Sequence, residues 1–140
     1  MEYTLEVVVI PVSDVDRARD FYRDKAGFSV DFDGDAMPGV RVVQLTPPGS
    51  GCSIALSDNL EALGVTPAPT PGSYQGMQLC VADIQEAHKE LVARGLDITE
   101  PVVHAEQDGG TFMYFKDPDG NGWGVQEYRV RAETPLRSAI

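Results

Sequence analysis

Phe115-Lys116-Asp117-Pro118-Asp119-Gly120-Asn121-Gly122-Trp123 decides how this 140-residue chain folds, because it places a tight turn between two apolar runs. Pro118 fixes φ at the first central position of a turn. Gly120 can take the positive φ that side chains resist, and Asp117, Asp119 and Asn121 can bond nearby backbone amides. Phe112-Met113-Tyr114-Phe115 before it and Trp123-Gly124-Val125-Gln126 after it read as strands, so local chemistry predicts a β-hairpin.

Working outward, the chain repeats itself. Val12-Ser13-Asp14-Val15-Asp16-Arg17-Ala18 and Val81-Ala82-Asp83-Ile84-Gln85-Glu86-Ala87 match at an offset of 69 residues, Asp83 against Asp14, the mark of an internal duplication. Each half opens on an apolar strand, Val7–Ile10 or Met77–Val81, followed by an aspartate suited to cap a helix. In the second half Asp83 with Glu86 resembles a capping box, and Ile84, Ala87, His88, Leu91 and Val92 form one helical stripe. In the first, Val15, Ala18, Tyr22 and Ala26 share a face with Phe21 at its edge. Both helices are predicted to stop at a glycine, Gly27 and Gly95, before strands at Phe28–Val30 and Leu96–Ile98. Strands at Arg41–Leu45 and Cys52–Leu56, and at Thr111–Phe115 and Trp123–Glu127, complete two βαβββ modules.

The modules span 5–60 and 74–130, and Val65-Thr66-Pro67-Ala68-Pro69-Thr70-Pro71-Gly72 joins them as an extended spacer, residues 65–72. Neither half is large enough to be stable alone, so residues 1–140 are read as one domain. The tail from Arg131 to Ile140 is expected to fray. No long apolar run and no basic-then-apolar leader is present, which predicts a cytoplasmic protein with no membrane span. The formal net charge of −11 repels phosphate backbones and anionic lipid, excluding nucleic acid and membrane surfaces as partners. Asp14, Asp16, Asp20, Asp24, Glu86 and Glu90 read as solvated helix exteriors. Cys52 and Cys80 are expected to be buried free thiols and not a disulfide. Gly49-Ser50-Gly51 reads as a hairpin turn and not a phosphate loop.

The paired modules, the start Val9-Ile10-Pro11-Val12-Ser13-Asp14 with Phe21-Tyr22 and Gly27-Phe28, and the ending Asp117-Pro118-Asp119-Gly120-Asn121-Gly122-Trp123 resemble the vicinal oxygen chelate superfamily. That group includes glyoxalase I, extradiol dioxygenases, fosfomycin-resistance transferases and bleomycin-resistance proteins. The resemblance covers about residues 5–130. It implies an α+β fold in which tandem βαβββ modules form a curved mixed sheet around a concave pocket, with helices on the outer face. In metal-dependent members a divalent ion sits on the concave face, held by His or Glu near the start of each module and on the last strands. The resemblance puts those positions at Val7, four residues before Pro11, at Gly76, at Gly124, three residues after Asn121, and near Ile54. None carries a donor side chain, so no metal and no cofactor is expected.

A pocket is expected all the same, enlarged by glycines in its floor. Strand alternation from Gly76 and Gly124 puts Gln78, Cys80 and Gln126 on the same face, with Val7 and Val9 on a partnering strand. Met113, or else Phe112 and Tyr114, would contribute from the adjacent strand, and Trp123 is expected to pack against a helix. His104 lies in a segment able to fold over the pocket mouth. Glu127 and Glu6 alternate to the opposite face, and His88 sits on a helix. Cys80 has no base in register, so no nucleophilic catalysis is indicated.

Three functions remain open from the sequence. The first is a protein that sequesters or carries a small, fairly apolar organic molecule without metal, as the bleomycin-resistance resemblance implies, working as a homodimer. The second is an enzyme, a lyase, isomerase or dioxygenase, using a displaced metal at His104 or Glu127, or acting without metal. The third is a domain that works through association alone.

Overall fold

The computed structural model describes residues 1–133. The fraying expected of the tail falls mostly on residues 134–140, which lie outside the described residues. The elements run β1 (Val7–Pro11), α1 (Val15–Asp20) continuing as a π-helical turn (Phe21–Lys25), β2 (Ser29–Met37), β3 (Val40–Thr46), β4 (Ser53–Ser57), β5 (Met77–Val81), α2 (Ile84–Ala93), β6 (Val102–Val103), β7 (Thr111–Lys116) and β8 (Gly122–Glu127). Two four-stranded sheets result, ordered β1-β4-β3-β2 and β5-β8-β7-β6, so the duplication in sequence is a duplication in topology. In each, the first strand runs parallel to the last and the remaining pairs are antiparallel. The sheets do not close, and the fold is α+β as expected.

Both capping aspartates act as predicted. Asp14 accepts from Arg17 N at 3.0 Å and Asp83 from Gln85 N and Glu86 N at 3.1 Å. Glu86 does not return the bond of a capping box; it pairs with Lys89. Instead Glu127 Oε2, from the end of β8, accepts from Ile84 N at 3.0 Å and closes the start of α2. The glycines that follow the helices, Gly27 and Gly95, hold φ of +79° and +89°. On α2 the predicted stripe is narrower than expected, since Ile84 is buried while Val92 is 50% exposed.

Two strand assignments need correction. Leu96–Ile98 forms no strand; Leu96 is buried in the core, and the fourth strand of the second module is the two-residue β6. The chain instead leans on β7 through Thr99, whose N–H donates to Tyr114 O and whose Oγ1 accepts from Tyr114 N. In the first module Phe28 belongs to the core and its strand runs on to Met37, far beyond Val30.

Each sheet turns one face to a shared core. Val8, Ile10, Val43, Leu45, Ile54 and Leu56 from the first sheet meet Leu79, Met113, Phe115, Trp123 and Val125 from the second, with Val15, Ala18, Tyr22 and Ile84 of the helices among them. Burying these faces on one another is what makes the halves interdependent. Tyr22 is the centre of an aromatic cluster, edge-on to Trp123 at 5.8 Å and stacked on Phe28 at 5.7 Å.

The Asp117–Asn121 turn locks the modules together. Asp117, 5% exposed, accepts at one oxygen from Asp119 N and Asn121 N, both at 2.9 Å, and at the other from Tyr22 Oη and Asn121 Nδ2, both at 2.8 Å. Asn121, fully buried, also donates to Pro11 O and accepts from Gly72 N and Tyr74 N. Asp119 does not serve its own turn but accepts from Ser13 N and Ser13 Oγ in the first module. Trp123 Nε1 donates to Tyr22 Oη. Burial first, and the Asp117 charge next, push the Tyr22 phenol well above its usual 10.0.

Candidate functional site

The faces turned away from the core carry the predicted site residues. On the second sheet the register sets Gly124 between Gln78 of β5 and Tyr114 of β7, and sets Gln126 between Cys80 and Phe112. Because β8 lies between β5 and β7, the absence of a side chain at Gly124 leaves a bare strip of backbone flanked on both sides. A cleft of about 570 Å³ opens there, lined by Gln75, Gly76, Gln78, Asp97–Thr99, Tyr114–Lys116 and Gly122–Gly124. That volume is within the range of small-molecule sites.

Of the residues read from sequence, Gly76, Gln78 and Gly124 come together in this cleft. Cys80 and Gln126 share its face by register but lie beyond its lining, and Gln126 Nε2 donates to Gly109 O at 2.7 Å. Met113 is a correction: at 0% exposure it points into the core, and alternation gives the outward face to Phe112 and Tyr114. Ile54 is another, since its partner Val8 and its own 5% exposure place it on the core face, while Ser53 and Ala55 face outward with Val7 and Val9. Val7 and Val9 lie on the first sheet's outward face, and no residue of the first module lines the cleft. Cys80 is exposed and Cys52 half-buried, so neither thiol is the core hydrophobe expected, although both are free.

His104 stands at the margin. Its Nε2 is 3.0 Å from Tyr114 Oη, and its ring lies 5.7 Å from Phe112, whose own ring is parallel to Tyr114 within 4°. The backbone fixes it, His104 N donating to Gly110 O. His88 reaches only Glu100, at 3.8 Å, from α2. Glu127 is committed to α2 and to Arg129 on the opposite side of the sheet from His104, so the two are not brought together. Val7, Gly76 and Gly124 offer no donor side chain, and among the described residues no three His, Cys, Asp or Glu side chains converge as a metal-holding group. The residues present do not fit a metal centre at the superfamily's usual place.

Sequence reasoning missed Gln75, Asp97, Thr99 and Lys116. Lys116 could have been found, for it follows Tyr114 at the period of two that alternation requires. Asp97 was hidden by the mistaken strand Leu96–Ile98, and Thr99 directly follows it. Gln75, whose amide donates to Gly72 O and Gly120 O over Gly122, carries no local signal.

Two duplicated βαβββ units, locked by a buried Asp-Pro-Asp-Gly-Asn turn and bearing a glycine-floored cleft on an open sheet, define a tandem-module α+β protein of the vicinal oxygen chelate type. The signature of the Glyoxalase/Bleomycin resistance protein/Dioxygenase superfamily matches residues 4–125, and the chain belongs to that family. Among solved structures it is similar to TnmS3, an antibiotic binding protein from Streptomyces sp. CB03234, at 30% identity over 91% of this chain and 97% of that one, with a TM-score of 0.74. It is also similar to a superfamily member from Sphaerobacter thermophilus DSM 20745, at 33% identity over 90% and 98% with a TM-score of 0.74. A glyoxalase/bleomycin resistance protein from Streptomyces sp. CB03234 shares 31% identity over 89% and 100%, with a TM-score of 0.72. No protein of curated function matches the sequence. Among the described residues no helix is long and apolar enough to cross a membrane.

Proposed function

We propose that this protein binds a small, fairly apolar organic molecule in the cleft of its second sheet, without a metal, and so sequesters or carries it in the cytoplasm. The observation that carries this reading is the bare floor at Gly76 and Gly124: where metal-dependent relatives are expected to hold an ion, this cleft offers open space beside Tyr114 and Gln78. Apolar rings and backbone give such a ligand area to bury, and the Gln78 amide gives it a hydrogen bond. The similarity to an antibiotic binding protein supports the same reading.

The working unit is a homodimer. The first sheet's outward face exposes Val7 and Phe32, at 43% and 48%, and no residue of that module lines the cleft. A two-fold partner laying this face over the cleft turns Val7 and Val9 into its second wall, with Ile54 behind them in the core. The rival reading, a metal-free enzyme, draws on the His104–Tyr114 hydrogen bond at the cleft margin, which could pass a proton to a bound molecule.

Untagged protein isolated under mild conditions and analysed by native mass spectrometry and elemental analysis tests the proposal. Retained organic ligand without stoichiometric metal is the expected result. Stoichiometric nickel, zinc, iron or manganese whose chelation abolishes ligand retention overturns it.

A further inference from the structure

Resting on the binding reading above, we infer that the cleft takes a molecule whose ammonium and carboxylate lie close together, as in the head of an α-amino acid, with its apolar body along Gly124 and Tyr114. The charged residues lining the cleft are Asp97 and Lys116, one of each sign. In a chain with a formal net charge of −11 a cation readily finds a carboxylate, and Arg17, Arg19, Arg23, Arg41 and Arg129 each reach one at 3.4 Å or less. Among the described residues the Lys116 ammonium has no such partner, the Asp97 carboxylate has no donor, and the two do not pair with each other. Lys25 is also unpaired, but it lies in the π-helical turn, away from this cleft.

Backbone bonding sets both charges at one end. β6 pairs antiparallel with β7, Val102 against Phe112, and Thr99 N donates to Tyr114 O. The chain from Val102 back to Asp97 therefore runs along β7 towards Lys116, and Asp97 and Lys116 lie two residues beyond Thr99 and Tyr114 in the same direction. Thr99 Oγ1 accepts from Tyr114 N at 2.9 Å, which leaves its hydroxyl hydrogen for a ligand carboxylate. Away from that end the bare strip at Gly124 and the Tyr114 ring, 42% exposed, give an apolar body area to bury. An exposed ion pair contributes little in water, so a direct Asp97–Lys116 contact would yield to a ligand that supplies both charges. A head with one charge leaves one of the two unmatched and gains fewer charge-assisted hydrogen bonds. A head with both is neutral, so the acidic chain does not repel it.

Isothermal titration calorimetry of the full-length protein with L-tryptophan, tryptamine and indole-3-propionate tests the inference, since the three share an indole and differ in the charges they carry. Wild type is expected to bind L-tryptophan at least about fivefold more tightly than either of the others. Lys116→Met removes the partner of the carboxylate, so L-tryptophan is expected to bind within about twofold of tryptamine; Asp97→Asn removes that of the ammonium, and L-tryptophan is expected within about twofold of indole-3-propionate. Both side chains are exposed, so both variants are expected to fold. Equal affinity of wild type for the three probes, a preference untouched by either substitution, or a uniform weakening of all three overturns the inference and leaves the binding reading standing. Failure of all three to bind wild type also overturns it, and the binding reading falls with it only if native mass spectrometry finds no retained organic molecule.

Discussion

Asp117 is a buried carboxylate with no ion-pair partner among the described residues, stabilised by four donors, of which Tyr22 reaches it from 95 residues away. A charge can stay in a core on these terms, because ion-accepting hydrogen bonds replace the lost water. The Tyr22 hydroxyl is used twice, donating to Asp117 and accepting from Trp123 Nε1. Tyr22→Phe therefore strands the Trp123 Nε1 donor and takes one of four donors from the buried Asp117, and the urea midpoint is expected to drop by the equivalent of about 1–3 kcal/mol. The same phenol gives an alkaline signature. Its folded pKa is raised from 10.0, so its contribution is complete below the unfolded value and is lost as pH climbs past it, where the unfolded chain gains a phenolate that the core refuses. Stability measured from about pH 9 to 11 should fall in wild type and fall less steeply in Tyr22→Phe; parallel curves would mean that other groups govern the alkaline limb. At this scale the sequence was half legible. Asp117, Pro118, Gly120 and Asn121 announce a turn by their own chemistry, and Tyr22 shows as a stripe residue. That the turn bonds Tyr22, Pro11 and Ser13 is a long-range fact, and no local pattern encodes it.

Among the elements, the legible ones were those with a strong period or a cap. The strands β1, β3, β4, β5, β7 and β8 and the helix α2 were placed within a residue or two, because apolar runs, turn residues, an aspartate cap and a terminal glycine agree with one another. Leu96–Ile98 misled because an apolar triplet can serve a core as well as a ladder; Leu96 is buried without pairing. The facing of β7 stayed open for a related reason, since Phe112, Met113, Tyr114 and Phe115 are all apolar and give alternation nothing to act on. The acidic exterior of α1 proved more structured than a solvated face. Arg41 grips Asp33 through Nε and Nη2 at 2.9 and 3.0 Å and reaches Asp16 at 2.7 Å, while Arg19 joins Asp33 at 3.1 Å, tying α1 to β2 and β3. Hydrogen bonding to Arg41 holds the Asp33 carboxyl below its usual 3.8. Its contribution is then present above that value and disappears as pH falls through the lower folded one. Asp33→Asn is expected to cost about 0.5–1 kcal/mol at pH 7, an ordinary figure for a surface pair, with the gap closing as pH falls below the usual 3.8; a gap unchanged by acid would place the effect elsewhere. The spacer between modules is tested by Gly72→Ala. Gly72 holds φ of +88°, and a Cβ there would collide with Asp119 O. A loss above about 2 kcal/mol is expected in denaturant titrations, and a neutral result would show that this approach of spacer to turn can relax.

For the whole molecule, the decisive arrangement is that the two sheets spend their best apolar faces on one core shared with the helices and turn the cleft-bearing face outward. A pocket seen as one cavity between facing halves could be inferred from the duplication, but which halves face each other could not, because back-to-back and face-to-face packing share one sequence pattern. In the proposed dimer each cleft is closed by the first module of the other copy. Light scattering on a sizing column should then give twice the 15.2 kDa of the chain, and Val7→Glu, which puts a charge on the closing face, should give 15.2 kDa with ligand binding weakened as well. A monomeric wild type at about 50 μM would end the proposal. Salt supplies an independent check through its sign. Each copy carries a formal charge of −11, and the exposed residues offered to the partner, Val7 and Phe32 among them, are apolar. Association of such copies is opposed by net repulsion and driven by burial, so raising ionic strength from about 10 to 150 mM should tighten the dimer as the Debye length shortens from about 30 to 8 Å. An interface held by ion pairs would loosen over the same range, and that outcome would move the contact away from the valines and onto the charged exterior of α1.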